Sequence, residues 1–153
     1  MAFLYQTQVL PDWIDYNGHM QDAFYGLVFS YAVDAFQDWV GFDASYREAT
    51  SCTIYLVEEH KYFLKEVKQA DPLTVEIRLL GVNRKMFHLH CTMTCDDRVV
   101  SVAELMEMHV CQIPKPKAAP IPQKILERLI ELKISADEQS QIQLRARTMG
   151  FSE

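Results

Sequence analysis

Residues 21–40, QDAFYGLVFSYAVDAFQDWV, contain no proline and a single glycine, Gly26. The run is too long for an ordinary strand and suits a helix. Asp22, Gly26, Ser30, Asp34, Gln37 and Asp38 recur at spacings of mostly three or four, leaving one narrow polar stripe on an otherwise aromatic and aliphatic cylinder. Such a helix is expected to be buried on nearly every side, with Gly41 at its C-cap. What surrounds it decides the fold.

On either side of this helix the signals are those of strands. Phe3 to Val9 alternates apolar and polar residues up to Pro11, and Cys52–Val67, Leu73–Leu80, Lys85–Cys95 and Val99–Ile113 follow a polar connection. Asp71-Pro72, Gly81 with Asn83, and Asp96-Asp97 separate the later four and read as hairpin turns, so the sheet is expected to be antiparallel. Leu73, Val75, Ile77 and Leu79 should share one face of their strand, and Thr74, Glu76 and Arg78 the other. One flat sheet covers only part of a helix that is apolar nearly all round, so the expected architecture is an α+β domain whose sheet curls around the helix. Aromatic faces left uncovered invite a second copy, giving a homodimer or a dimer of dimers. The domain is placed at residues 1–114. Residues 115–153 are read as a proline-rich linker (PKPKAAPIP), a short helix over Ile121–Lys133, and a polar tail loosely held beyond Ser135.

The chain has 153 residues, 49% hydrophobic and 24% charged, enough for one domain with a real core and unlike a disordered or repetitive chain. Its 15 basic residues against 21 acidic give a net charge of −6, which offers no field for a polyanion. Nucleic acid and anionic membrane surfaces are therefore not expected partners. Cys52, Cys91, Cys95 and Cys111 form no CxxC pair, lie in apolar runs and read as reduced core residues. No leader pattern opens the chain and no apolar run is long enough to span a bilayer, so a cytoplasmic protein is expected.

The densest group of chemically capable residues is DWIDYNGHM, residues 12–20, just before the long helix. Free backbone N–H groups and the positive end of the helix dipole point at that turn, where a carbonyl oxygen gaining negative charge can be stabilised. A carboxylate beside such a cradle can attack an activated acyl group or deprotonate a water that does so. The alternative reading makes Asp12 and Asp15 turn and cap residues that satisfy those same N–H groups.

Asp15-Tyr16-Asn17-Gly18 matches the D-x-x-G motif of the hotdog-fold acyl-CoA thioesterases of the 4-hydroxybenzoyl-CoA thioesterase type, which this chain resembles from about Tyr5 to Ile113. The resemblance continues through His19-Met20, Ala23 and Tyr25 of the helix, and TIYLVEEHKY at 53–62. DYNGHM together with KMFHLH at 85–90 and MEMHV at 106–110 is similar to the betainyl-CoA thioesterases of carnitine breakdown. It implies a hotdog fold and hydrolysis of a small acyl-CoA with no metal or redox cofactor. Asp15 then takes the position of the catalytic carboxylate and the N–H near Asp22 that of the oxyanion donor. Asn17, His19 and, on the second long strand, Glu58 complete the catalytic candidates. Many relatives carry polar amides after His-Met, whereas this chain has Gln21-Asp22. That extra carboxylate, with Trp13, Tyr16, Phe24, Tyr25 and Trp39, suits a quaternary ammonium acyl group; the plainer reading makes the aromatics core and Asp22 a complement to the helix dipole.

His60 shares a strand face with Glu58, and the resemblance places one or both toward a partner's site; a surface or interface ion pair is the rival reading. Arg84-Lys85 at a hairpin is the chosen site for the phosphates of coenzyme A, with Lys61, Lys65 and Lys68 as other candidates. His88, His90 and His109 lack ligand-spaced Asp or Cys neighbours and read as core or interface histidines rather than a metal set. A dehydratase or hydratase using His60 and Glu58, and a non-catalytic acyl-CoA-binding module, are the rival functions.

Overall fold

A computed structural model describes residues 2–150. The expected helix is α1, Asp22–Val40, and it ends where Gly41, at φ +122°, lets its own N–H turn back to the carbonyls of Gln37 and Asp38. Tyr25, Val28, Phe29, Ala32, Val33, Phe36 and Val40 are buried along it. The polar connection to the next strand holds a further helix, α2 (Ala44–Thr50), whose first turn is capped by the Asp43 carboxylate accepting from Tyr46 N at 2.9 Å.

The sheet is formed by β1 (Phe3–Gln8), β2 (Cys52–Phe63), β3 (Pro72–Val82), β4 (Met86–Cys95), β5 (Arg98–Cys111) and the two-residue β6 (Lys117–Ala118). Every strand pairing in it is antiparallel, and the order runs β1-β3-β4-β5-β2, with β6 on β5. The β3–β4 and β4–β5 turns are hairpins, as expected. The β2–β3 connection is not: β2 lies beyond β5, and the chain crosses back through residues 64–71. That crossing is anchored where Leu64 N and Lys65 N donate to Val100 O and Met20 N donates to Val67 O. It runs beneath the start of α1 and gives the site one of its walls.

Alternation sets what faces the helix. Leu73, Val75, Ile77 and Leu79 of β3 are buried in the core with Phe87, Leu89, Cys91 and Met93 of β4. On β5, Ala103 and Leu105 share that face. Within β2 a bulge at Val57 shifts the register, so that Leu56 pairs with Glu107 but Glu58 pairs with Met106. The shift exchanges the two faces of the strand: Ile54 and Leu56 face α1 before it, Glu59 and Lys61 after it.

Beyond Pro114 the chain stays on the domain. Ile121, Ile125 and Leu129 enter the core, the last two from α3 (Gln123–Leu132), and Ile134 N donates to Leu79 O. The polar tail, expected to be loose, is held as far as Arg147, whose Nε donates to the Tyr62 hydroxyl; its last three positions, 151–153, lie outside the described residues. Ser135 and Glu138 form a reciprocal capping box on α4 (Ala136–Ser140). Arg145 then reaches the outer face of the sheet and donates to both oxygens of Glu104, at 3.0 and 2.9 Å. The expectation of four reduced thiols fails for two of them: Cys52 and Cys111, directly opposite in the β2–β5 ladder, are joined as a disulfide, while Cys91 and Cys95 are free and buried. Register, not spacing in the sequence, brings that pair together.

Candidate active site

The DWIDYNGHM segment folds into a short 3-10 turn (Pro11–Trp13) and a tight loop closed by Asp15 N donating to His19 O and Gly18 N donating to Asp15 O. Gly18 sits at φ +77°, which a side chain resists. One oxygen of the Asp15 carboxylate accepts from Asn17 N at 2.8 Å, an Asx turn. Gln21 N donates to Trp13 O, which delivers the chain to the first turn of α1.

No side chain caps that turn. The N–H groups of Asp22 and Ala23 precede the first intrahelical donor, Phe24 N to Gln21 O, so the rival reading holds for Asp15 as a turn residue, which accepts from Asn17 N, but neither Asp12 nor Asp15 caps the helix. Beside them lies a cleft of about 510 Å³ lined by Met20, Asp22, Tyr25, Phe63, Leu64, Lys65 and Glu66. Tyr25 donates its hydroxyl to Lys65 O at 3.0 Å and packs edge-on to Phe63; burial pushes its phenol up. His19 Nε2 stands 3.2 Å from Glu66 Oε2. Trp13 is buried and stacks on Phe24. The structure thus gathers Asp15, Asn17, His19, Asp22, Trp13 and Tyr25 at one end of α1.

The other candidates fall elsewhere. Tyr16 is 97% exposed and touches no aromatic neighbour, and Trp39 lies against Phe3 and Phe36 under the Arg128 guanidinium, 4.7 Å from its ring centre, so neither joins a cage with Trp13. The bulge at Val57 turns Glu58 and His60 to the outer sheet face, where they line a small cavity with His88 and Glu104 and sit away from Asp15 in the same chain. His88 is 2.8 Å from Glu104, whose carboxyl is pushed up by burial but pulled further down, to about 2, by Arg145, the Ala146 N–H and His88. His109 is held between the Tyr46 hydroxyl and Ala119 O. Arg84-Lys85 caps the sheet at the far end of α1, where His109 N donates to Lys85 O and Ile121 N to Arg84 O. Within one chain, the basic residue at the cleft is Lys65, which the sequence reading named but did not choose.

A second cavity, about 360 Å³, lies further along the same groove, between the polar stripe of α1 (Gly26, Ser30, Asp34, Gln37) and the helix-facing residues of β2 and β5. Three carboxylates meet there: Asp34, Glu59 and Glu107. Lys61 donates to Glu59 at 2.7 Å. Burial, with Asp34 and Glu59 nearby, pushes the Glu107 carboxyl up to about 7, and burial with Asp38 raises that of Asp34 against the pull of Arg47. Sequence alternation contained the signal for Glu107, since it falls in step with Ala103 and Leu105 on the core face of β5.

Comparison with known proteins agrees with this geometry. Residues 9–129 match the family model of the Thioesterase-like superfamily. The betainyl-CoA thioesterase of Pseudomonas aeruginosa is 40% identical over 127 residues, 82% of this chain and 79% of that protein. A putative thioesterase from Pseudomonas putida has the same fold at a TM-score of 0.80 and 33% identity, covering 100% of this chain and 99% of that one. A hypothetical protein from Staphylococcus aureus, solved in complex with CoA, superposes at a TM-score of 0.79 with 27% identity over 96% of each chain. With its curled antiparallel sheet around one long helix, its D-x-x-G turn and its uncapped helix start, the chain belongs to the Thioesterase-like superfamily of hotdog-fold acyl-CoA thioester hydrolases.

Proposed function

We propose that this hydrolase acts on betainyl-CoA, releasing betaine and coenzyme A, and that Asp15 and the first turn of α1 carry the reaction. The observation that carries the site assignment is the uncapped start of α1, with the Asp15 loop immediately before it. The 40% identity to a betainyl-CoA thioesterase supports the choice of acyl group.

The thioester carbonyl oxygen lies toward the N–H groups of Asp22 and Ala23, which stabilise the negative charge that grows on it; one such donor is worth roughly 10²–10³ in rate. Asp15 takes a proton from a water that attacks the carbonyl carbon, or attacks it directly and is then freed by water. In either route the C–S bond breaks, the sulfur leaves as thiolate and takes up a proton, and the sum is thioester plus water giving acid plus thiol. Neither route calls on a metal or redox cofactor. His19, paired with Glu66, flanks the loop, and Lys65 serves the CoA phosphates.

Two copies pair along β2. Its outer edge has no partner strand among the described residues, and Tyr55, Leu56, Val57 and Phe63 are exposed on it. No helix among the described residues is long and apolar enough to cross a membrane. A CoA ester as substrate points to the cytoplasm as the place of work. The test is thiol release from betainyl-, acetyl-, octanoyl- and benzoyl-CoA. Preference for betainyl-CoA is expected; equal turnover of all four would remove the acyl assignment and keep the hydrolase.

A further inference from the structure

The second cavity contains an anomaly that the hydrolytic machinery does not use. Glu107 is only 3% exposed, yet its carboxylate makes no hydrogen bond and no ion pair with any described residue. It points between α1 and β2, into a space that also holds Asp34 and Glu59. The one cation lining the cavity, Lys61, is taken by Glu59, and Arg47, which pulls on Asp34 from outside it, is bonded to Asp38. Gly26 makes room for that lysine, since a Cβ there would stand 3.3 Å from Lys61 Nζ. Three carboxylates against one ammonium leave the cavity negative, while Val33, Ile54, Leu56 and Leu105 give it apolar walls. A half-dry, negatively charged pocket favours a large, weakly hydrated cation over a small, strongly hydrated one.

We propose that this cavity binds the alkylammonium head of the acyl group, with Glu107 and Asp34 as its counter-ions. The inference rests on the betainyl reading and on the pairing of two copies along β2. Reach decides which copy supplies the cavity. Asp34 lies twelve residues along α1 from Asp22, about 18 Å by helical rise, too far for a short acyl group held at the first turn of the same chain. Two-fold pairing of β2 edges is antiparallel, so the Phe63 end of one strand lies beside the Ile54–Leu56 end of the other. The acyl head presented at Asp22 of one protomer therefore enters the cavity around Glu107 of its partner. The unused carboxylates become the specificity determinant of the site across the interface.

The test compares betainyl-CoA with 3,3-dimethylbutanoyl-CoA, which has the same shape with carbon in place of the charged nitrogen. Relative to the intrinsic reactivity of the two esters, taken from their hydroxide hydrolysis, wild-type kcat/KM should favour the charged ester by about tenfold or more, the size expected when a cation is matched by a poorly solvated carboxylate. Glu107→Gln should bring the ratio down to that intrinsic value, and Asp34→Asn should lower it partly. If the wild type discriminates and both variants, singly and combined, discriminate equally well, the cavity assignment is overturned while the betainyl reading stands. If the wild type shows no preference for the charged ester, the betainyl reading falls and the cavity assignment falls with it.

Discussion

Replacing Glu107 by Gln should stabilise the protein, by an amount that depends on pH. The side chain is buried between Leu56 and Phe87 in the β-ladder register and faces Asp34 on α1 and Glu59 and Lys61 on β2, without a bond to any of them. Its carboxyl is pushed up to about 7 against an ordinary 4.5. The folded state therefore holds a proton that the unfolded chain has released, and stability falls as pH rises from 4.5 through 7. With the carboxyl ionising near 7 in the folded chain and near 4.5 in the unfolded one, linkage gives roughly 3 kcal/mol of destabilisation at pH 8, and only about 1 kcal/mol at pH 5. Gln keeps the shape of the neutral acid and cannot ionise, so the variant should gain roughly 3 kcal/mol at pH 8 and about 1 kcal/mol at pH 5. The assay is urea unfolding followed by far-UV circular dichroism at both pH values, at one protein concentration because association contributes to stability. A gain that is the same at both pH values, or a loss at pH 8, would refute the claim that an unpaired buried carboxylate sits there.

Glu104 should show the opposite sign. Held near 2 by Arg145, the Ala146 N–H and His88, it contributes stability that is present above pH 4.5 and lost as pH falls toward 2; Arg145→Ala should remove most of this contribution, measured by acid unfolding of both proteins. Phe29→Ala, at a fully buried position of α1, should cost about 3–5 kcal/mol in urea unfolding. Replacing both Cys52 and Cys111 by Ala should lower stability under oxidising conditions by up to about 4 kcal/mol from loop-closure entropy, and by nothing comparable in excess reductant.

The parts of this fold that were legible in the sequence are those governed by local period. The twenty residues from Gln21 announce a buried helix, and the alternation in β3 announces which side of the sheet it meets. The turn at Asp15–Gly18 was equally readable, because Asn17-Gly18 has few other uses and the helix start follows directly. Pairings that depend on distance along the chain were not readable. Nothing local says that β2 passes β3 and β4 to lie on β5, nor that Cys52 thereby meets Cys111. The bulge at Val57 has the largest effect on the site reading: one extra residue moves Glu58 and His60 outward and brings Glu59 and Lys61 to the groove. The seven residues of α2 carry no apolar period, and the hold on the tail comes from one arginine finding Glu104 across the outer face.

From sequence alone, the narrow polar stripe of α1 marks how much of the helix is buried. In the structure it forms one wall of an acidic cavity, with Gly26 leaving space for Lys61. One helix thus supplies core packing, free N–H groups at its start and the wall of a cavity along its flank.

Asp15, beside the open first turn of α1, is proposed to carry the hydrolysis, and that role is measured by thiol release from betainyl-CoA by the wild-type protein and by Asp15→Asn under matched conditions. The substitution keeps the size of the side chain and its acceptance from Asn17 N while removing its capacity as base or nucleophile. A fall in kcat of about 10²-fold or more with an unchanged fold is the predicted result. Turnover by Asp15→Asn within a few-fold of wild type would contradict the account.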